Sequence, residues 1–300
     1  MLIHTFCPID GSDDDVEVYP ANWDVSQIDA DRFSPRRLPD RIHYRMVRNR
    51  KSGCLRADPI LDENTIIKLY GASKVTYDDV AAYTGATYLR YLQRVLPHLV
   101  DRRGVLEIGC GHGFFLEKLL PLGFAQVRGV EPSLEAVAKT PETVRPGIVT
   151  GVLEKDTFAP ESFSLVCGFQ VLDHLTDPNA VLQHCKRVLV DGGIMFWICH
   201  DTGAWVPNLL GESSPMVDIE HVVLYDRRTL RLLFDKNGFE GVEIFGVSND
   251  YPVEYWARLA PMPGWLKRWV LGSLKCTRLG RIRLRANFGN QGIIARKTRA

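Results

Sequence analysis

The sequence predicts an α/β protein: a mostly parallel sheet with helices on both faces. Two observations carry this expectation. From Gly104 onward, short apolar runs alternate with stretches of helical periodicity, the pattern of strand–crossover–strand units whose sheet is covered on both sides. At the first passage from strand to helix stands Glu107-Ile-Gly109-Cys-Gly111-His-Gly113, a turn whose glycines let the backbone bend sharply and approach a ligand closely.

Residues 1 to about 85 precede this alternation as an N-terminal extension rich in Asp, Arg and Pro. Its charge runs at 13–15, 35–37 and 48–51 read as solvated loops. Residues 86–300 form the main domain. Tyr88, Leu92, Val95, Leu96 and Leu99 recur at helical spacing and predict a helix over 88–99, stopped by Val100-Asp-Arg-Arg-Gly104. Strands are predicted at 105–108, 126–130, 148–150, 163–169, 194–199, 242–247 and 292–296. Helices are predicted at 114–122, 134–139, 178–189 and 229–237, the last closed by Gly238. Asp191-Gly-Gly193 reads as a turn.

Bulk properties bound the function without naming it. The 300 residues are 45% hydrophobic and 24% charged, ordinary for a globular chain. A net charge of +1 singles out no partner class. The seven cysteines are scattered without a C-x-x-C pair, and several sit inside apolar runs, which fits a reducing compartment. The N-terminus lacks a basic region followed by an apolar stretch, and no apolar run approaches the ~18 residues that span a bilayer. These features read as a cytoplasmic protein.

The glycine turn is specific in its details. Its spacing is G-x-G-x-G, without the G-x-G-x-x-G of dinucleotide sites, and Glu107 stands two residues before the first glycine. A carboxylate there accepts from an ammonium and repels a pyrophosphate. Glu131 ends the second strand, where it can take both hydroxyls of a ribose, and Gly192-Gly193 precedes the fifth strand.

Residues 105–113, Glu131, Phe163-Ser-Leu-Val166, Val171-Leu-Asp-His-Leu-Thr-Asp-Pro178 and Val188-Leu-Val-Asp-Gly-Gly193 resemble, in order, the motifs of class I methyltransferases that use S-adenosylmethionine (SAM). The resemblance covers roughly residues 86–300. It implies a Rossmann-like, seven-stranded sheet whose last strand is antiparallel, with SAM as cofactor. It also implies that Glu107, Gly109, Gly111 and Gly113 hold the methionine part and Glu131 the ribose. Val152 and Leu153 would then flank the adenine, and Gln170 would line the methionine side. Val152 stands where many relatives carry an acid, and Ser164 where they carry Asp.

Methyl transfer is an in-line displacement that depends on alignment, and it needs a general base only for a hydroxyl-like acceptor. His174, His200 and His221 fall near strand ends on the cofactor side and are the candidate catalytic residues; His200 or His221 is expected to face the acceptor. A lone histidine is more often structural, and that reading stays open for each. Asp201, Glu220 and Tyr225 are weaker candidates, and His112 is expected at solvent or as a helix cap.

Cys7-Pro-Ile-Asp10-Gly11 and Asn49-Arg-Lys-Ser52-Gly53 resemble the two halves of a zinc ribbon that has lost its ligands. With one thiolate of four, no metal is expected, and the segment serves as scaffold or lid. Residues 248–288 form an insert with eight Lys or Arg against Asp250 and Glu254, interleaved with Tyr251, Tyr255, Trp256, Trp265 and Trp269. It reads as a basic face over an aromatic core, as a cap for an anionic acceptor, or as a peripheral membrane contact; no nucleic-acid module accompanies it. Residues 211–221 and 249–256 resemble methyltransferases of bacterial surface-saccharide biosynthesis, which implies a sugar-hydroxyl acceptor. The rivals are a non-catalytic SAM-binding relative and an NAD-dependent oxidoreductase. Oligomeric state is left open.

Overall fold

The structure is a computed structural model that describes residues 1–24, 28–29, 42–75, 78–260 and 262–298. The charge run at 35–37 lies outside the described residues. A seven-stranded sheet forms the centre: β1 (Val105–Ile108), β2 (Val127–Glu131), β3 (Ile148–Thr150), β4 (Phe163–Phe169), β5 (Leu189–His200), β6 (Phe239–Gly246) and β7 (Asn290–Lys297). Their spatial order is β6-β7-β5-β4-β1-β2-β3, with β7 antiparallel to both of its neighbours and the other pairs parallel. This is the Rossmann-like arrangement with a reversed last strand.

The strand pleat explains the two-sided core. Along β5, Met195, Trp197 and Cys199 pack on one face, and Ile194, Phe196 and Ile198 on the other. All seven residues of β4 are buried, so it reads as a continuous apolar run and sits centrally.

Three elements depart from the sequence expectation. The helix placed at 88–99 is α2, Asp78–Leu92, followed by a 3-10 turn at Leu96–His98. Ahead of Tyr88 its buried positions are Val80, Ala81, Thr84, Gly85 and Thr87, largely small or polar residues that an apolar pattern does not flag, and Pro97 cannot extend the helical ladder. This helix also crosses the position where the main domain is expected to begin. The helix placed at 114–122 shrinks to Leu116–Leu119 with a 3-10 turn at Leu120–Leu122, where Pro121 intervenes. The expected turn at 191–193 is a bulge inside β5: the register to β4 shifts between Leu189 and Ile194, and Gly192 has φ +74°.

The N-terminal residues form a four-stranded antiparallel sheet, ordered Val223–Leu224, Leu55–Ala57, Met46–Asn49, Asp15–Tyr19, so the main domain lends it one strand. Asp15 is not a solvated loop charge. Its two oxygens accept from Arg56 Nη1 and Nη2 at 2.7 and 2.6 Å, and Arg56 is buried. The zinc-ribbon-like positions meet through hydrogen bonds: Cys7 Sγ is 3.1 Å from Ser52 Oγ, which donates to Asn49 Oδ1 at 3.0 Å, while Asn49 Nδ2 donates to Ser12 Oγ at 3.0 Å. Among the described residues, no group of three or more His, Cys, Asp or Glu could hold a metal ion.

Beyond this sheet, α1 (Glu63–Gly71) is capped by Asp62, whose Oδ1 accepts from Thr65 N at 3.0 Å. The insert folds as a cap: strand Asn249–Pro252 pairs with Arg283–Ala286, and two helices lie between them, Val253–Leu259 and Gly264–Thr277, here called the inner and outer cap helices.

Candidate active site

The carboxyl ends of β1, β2, β4 and β5 open into one cleft of about 690 Å³, closed by α1 and the inner cap helix. Glu107 and Glu131 stand at its cofactor end, both buried. Gly109 has φ +66°, a conformation costly for any residue with a Cβ, and an added Cβ would meet Val171 at 3.1 Å. Gly111 N donates to Glu131 Oε2 and Ser133 N to Glu131 Oε1, each at 2.8 Å, so one carboxylate ties the glycine loop to the end of β2. Those oxygens keep lone pairs for further donors. Glu107 Oε2 is buried without a hydrogen-bond partner among the described residues. Burial pushes the Glu107 carboxyl well above the usual carboxylate range, and the neighbouring Glu131 adds to this. Burial also raises Glu131, opposed by the two backbone N–H donors.

The other candidate cofactor residues divide. Gly109, Gly111, Val152, Leu153 and Gln170 line the cleft. Gly113 does not line it: it lies behind the loop, where an added Cβ would meet Thr140 and Val144 at 3.1 Å, so its absent side chain serves packing. Gln170 has φ +55° at the end of β4, and its Nε2 donates to Asn290 Oδ1 at 2.7 Å. Such backbone strain at a strand end persists only where surrounding contacts impose it.

At the far end of the cleft the three candidate histidines form one cluster. The His221 ring centroid is 4.8 Å from that of His174 and 4.7 Å from that of His200. His200 Nδ1 lies 2.8 Å from Asp173 Oδ2, which also accepts from His200 N at 3.1 Å, and Asp173 is fully buried. With Nδ1–H committed to that carboxylate, Nε2 is the nitrogen left to accept a proton. His221 Nδ1 donates to Met216 O at 2.8 Å. His174 is held between Tyr70 Oη, 2.7 Å from its Nδ1, and the backbone of Glu220. Burial lowers His174 to about 4 and holds His221 well below the usual histidine range.

The cap supplies the remaining wall. Tyr251, Tyr255 and Trp256 line the cleft with their rings in mutual contact, and Thr84 Oγ1 lies 2.8 Å from Tyr251 Oη. Asp218 and Glu220 line the same end, and Lys74 is the one Lys or Arg in the lining among the described residues.

A family model described as a methyltransferase domain matches residues 80–244, more than half of the chain. The chain belongs to this methyltransferase-domain family. It is 34% identical over 106 residues to the ubiquinone biosynthesis O-methyltransferase of Paraburkholderia phymatum, covering 33% of this chain and 45% of that relative. It is 37% identical over 97 residues to the enzyme of the same name from a Bradyrhizobium species, covering 30% and 37%. The chain thus spans less than half the length of these curated relatives. The YcgJ protein of Bacillus subtilis aligns with a TM-score of 0.50 at 16% identity over 71% of this chain and 99% of that one, which shows the fold alone.

The cleft of this methyltransferase domain fits SAM. The partnerless Glu107 Oε2 matches an ammonium, and Glu131 at the end of β2 matches vicinal hydroxyls. A dinucleotide pyrophosphate would meet two buried carboxylates at the same place.

Several residues of the site escaped the sequence reading. Asp173, fully buried behind the lining, is not paired with His200 by any sequence pattern, because 27 residues separate them and β5 brings them together. Tyr70 and α1 were missed with the extension, although Asp62-Glu-Asn-Thr65 is a helix-start signal. Of the weaker candidates, Glu220 lines the cleft. Asp201 is turned away to Arg227, and Tyr225 is buried outside the lining. His112, expected at solvent or as a helix cap, is half-buried, and its ring tilts against that of Phe114 at 5.4 Å.

Proposed function

We propose that this protein transfers the methyl group of SAM to a hydroxyl oxygen of a small, uncharged acceptor, with His200 as general base. The observation that carries this reading is the His200–Asp173 pair at 2.8 Å, seated where the cofactor cleft meets the aromatic end. Bound SAM supplies an electrophilic methyl group on a sulfonium sulfur. Glu107 orients its ammonium end, Glu131 its ribose, and Val152 with Leu153 its adenine. His200 Nε2 takes the proton of the acceptor hydroxyl as the oxygen attacks, and Asp173 stabilises the resulting imidazolium. His174 and His221, kept neutral by burial, shape the chamber and fix the base without competing for the proton.

The aromatic wall and the Asp218 and Glu220 carboxylates suit a ring bearing several hydroxyls, which is how a saccharide acceptor is supported. The relatives named above are O-methyltransferases by name, which supports oxygen as the receiving atom. An anionic acceptor is disfavoured, because the lining carries Lys74 against several carboxylates. The N-terminal extension is proposed as a fixed wall of the acceptor chamber, since Tyr70 of α1 hydrogen-bonds His174.

Calorimetry with SAM, S-adenosylhomocysteine and NAD, followed by S-adenosylhomocysteine release against panels of sugar and phenolic acceptors, tests the proposal. SAM binding with turnover lost in His200→Ala supports it. SAM binding without turnover on any acceptor would make the chain a non-catalytic relative, and undiminished turnover in His200→Ala would remove the base.

A further inference from the structure

The outer cap helix is amphipathic, yet none of its fourteen residues is buried. Its exposed positions Trp265, Arg268, Trp269, Gly272, Lys275 and Cys276 recur at steps of three and four residues, which places them on one face of the helix. Trp265 is 67% exposed and Trp269 69%. The chain that follows continues the same mixture, alternating exposed Leu279, Ile282 and Leu284 with exposed Arg281, Arg283 and Arg285. Large apolar side chains left in water at this density mark a contact surface.

Charge indicates what covers it. No Asp or Glu occurs after Glu254, while residues 255–300 hold eleven Lys or Arg, so a chain of net +1 is +11 over its last 46 residues and −10 elsewhere. The two tryptophans have an apolar body and one N–H, the side chain enriched at the boundary between lipid and water. A helix presenting Trp beside Lys and Arg, without acids, matches the surface of an anionic bilayer in both of its parts: headgroup charge and the apolar layer beneath. A nucleic acid would satisfy the cations and leave Leu279, Ile282, Leu284 and the tryptophans exposed.

We propose that the outer cap helix and the segment through Arg285 dock on an anionic lipid surface. The site lies against the acceptor chamber. Lys267 Nζ of the outer helix donates to Arg258 O of the inner helix at 2.8 Å, and Tyr255, Trp256 and Leu259 of the inner helix line the cleft. Docking therefore sets the chamber's aromatic wall beside the bilayer, where an acceptor carrying an apolar tail would be held; that last consequence rests on the methyl-transfer reading, whereas docking does not.

The test is sedimentation of the full chain with vesicles of phosphatidylcholine alone, and with phosphatidylcholine containing phosphatidylglycerol, in the absence of SAM. Binding is expected to the anionic vesicles only, with a blue shift of tryptophan emission and loss in high salt. Each cation near such a surface is worth about fivefold in partition, so Arg268→Gln/Lys275→Gln/Arg281→Gln should lower it roughly a hundredfold. Trp265→Ala/Trp269→Ala should abolish the blue shift and weaken binding more than tenfold, with the melting temperature and SAM affinity of both variants unchanged. Absence of vesicle binding overturns the proposal, as does equal binding by the tryptophan variant, or tighter binding to double-stranded DNA at the same salt. SAM affinity measured on the same samples keeps a failure of docking separate from a failure of the methyltransferase reading.

Discussion

Replacing Glu107 by Gln should strengthen the free protein and weaken its hold on SAM, two effects of opposite sign from one nearly isosteric change. The carboxyl sits buried in β1 with Oε2 partnerless among the described residues, and burial together with Glu131 raises its pKa well above the usual range. Because the folded-state pKa lies above the unfolded one, the folded protein holds a proton that the unfolded chain releases. Stability is therefore greatest at acid pH and falls as pH rises from the ordinary carboxylate range through the raised value. Gln carries no such proton, so Glu107→Gln should flatten that slope and melt higher than the parent at pH 8. A hydrogen bond to a charged partner is worth about 1.5–3 kcal/mol, so losing the ammonium contact should raise the SAM Kd by roughly 10- to 150-fold. Titration calorimetry in buffers of different ionisation enthalpy checks the same group. SAM binding below the raised pKa should release a proton in the parent and none in the variant. A variant that binds SAM within threefold of the parent, or that melts lower across the whole pH range, would refute the assignment.

Three further outcomes follow from the site and its supports. Asp173→Asn and His200→Ala should each lower kcat by about 10²- to 10⁴-fold, the usual share of a general base, with SAM affinity unchanged by calorimetry; a matching loss of SAM binding would make the pair structural. His174 and His221 have pKa values depressed by burial, so the unfolded chain binds the protons that the folded protein refuses. Stability should therefore be full above about pH 6.5 and fall on acidification toward pH 4, and His221→Gln should blunt that fall in thermal melts; an unchanged slope would count against it. Arg56→Ala should cost about 3 kcal/mol in urea unfolding, because Asp15, its side chain only 10% exposed, is left without its partner. A single unfolding transition would accompany it, since Cys7, Met46 and Leu55 share one core with Leu106 and Val166.

The sequence was sufficient wherever local chemistry and period dictate structure. The central strands are short apolar runs bounded by glycine or charge, so β1, β3 and β4 stand where the pattern puts them. The glycine loop is legible because backbone at positive φ beside a ligand admits few residues, and Glu107 and Glu131 are legible because they terminate or flank that geometry. The three histidines were legible as strand-end residues. Their grouping was not, since nothing along the chain brings His221 within 5 Å of both His174 and His200.

Tertiary structure alone decided what depends on packing between distant segments. Crossovers in the sheet bring the end of β5 to the 3-10 turn after β4, which makes Asp173 the partner of His200. Burial supplies the low-dielectric setting that depresses two of the histidines, and no sequence window reports burial. The extension that lacked period in the sequence folds by borrowing strand Val223–Leu224 and returns Tyr70 to the chamber. Aperiodic chain gains its order from hydrogen-bond partners elsewhere, so its contribution could be read only once those partners were in place.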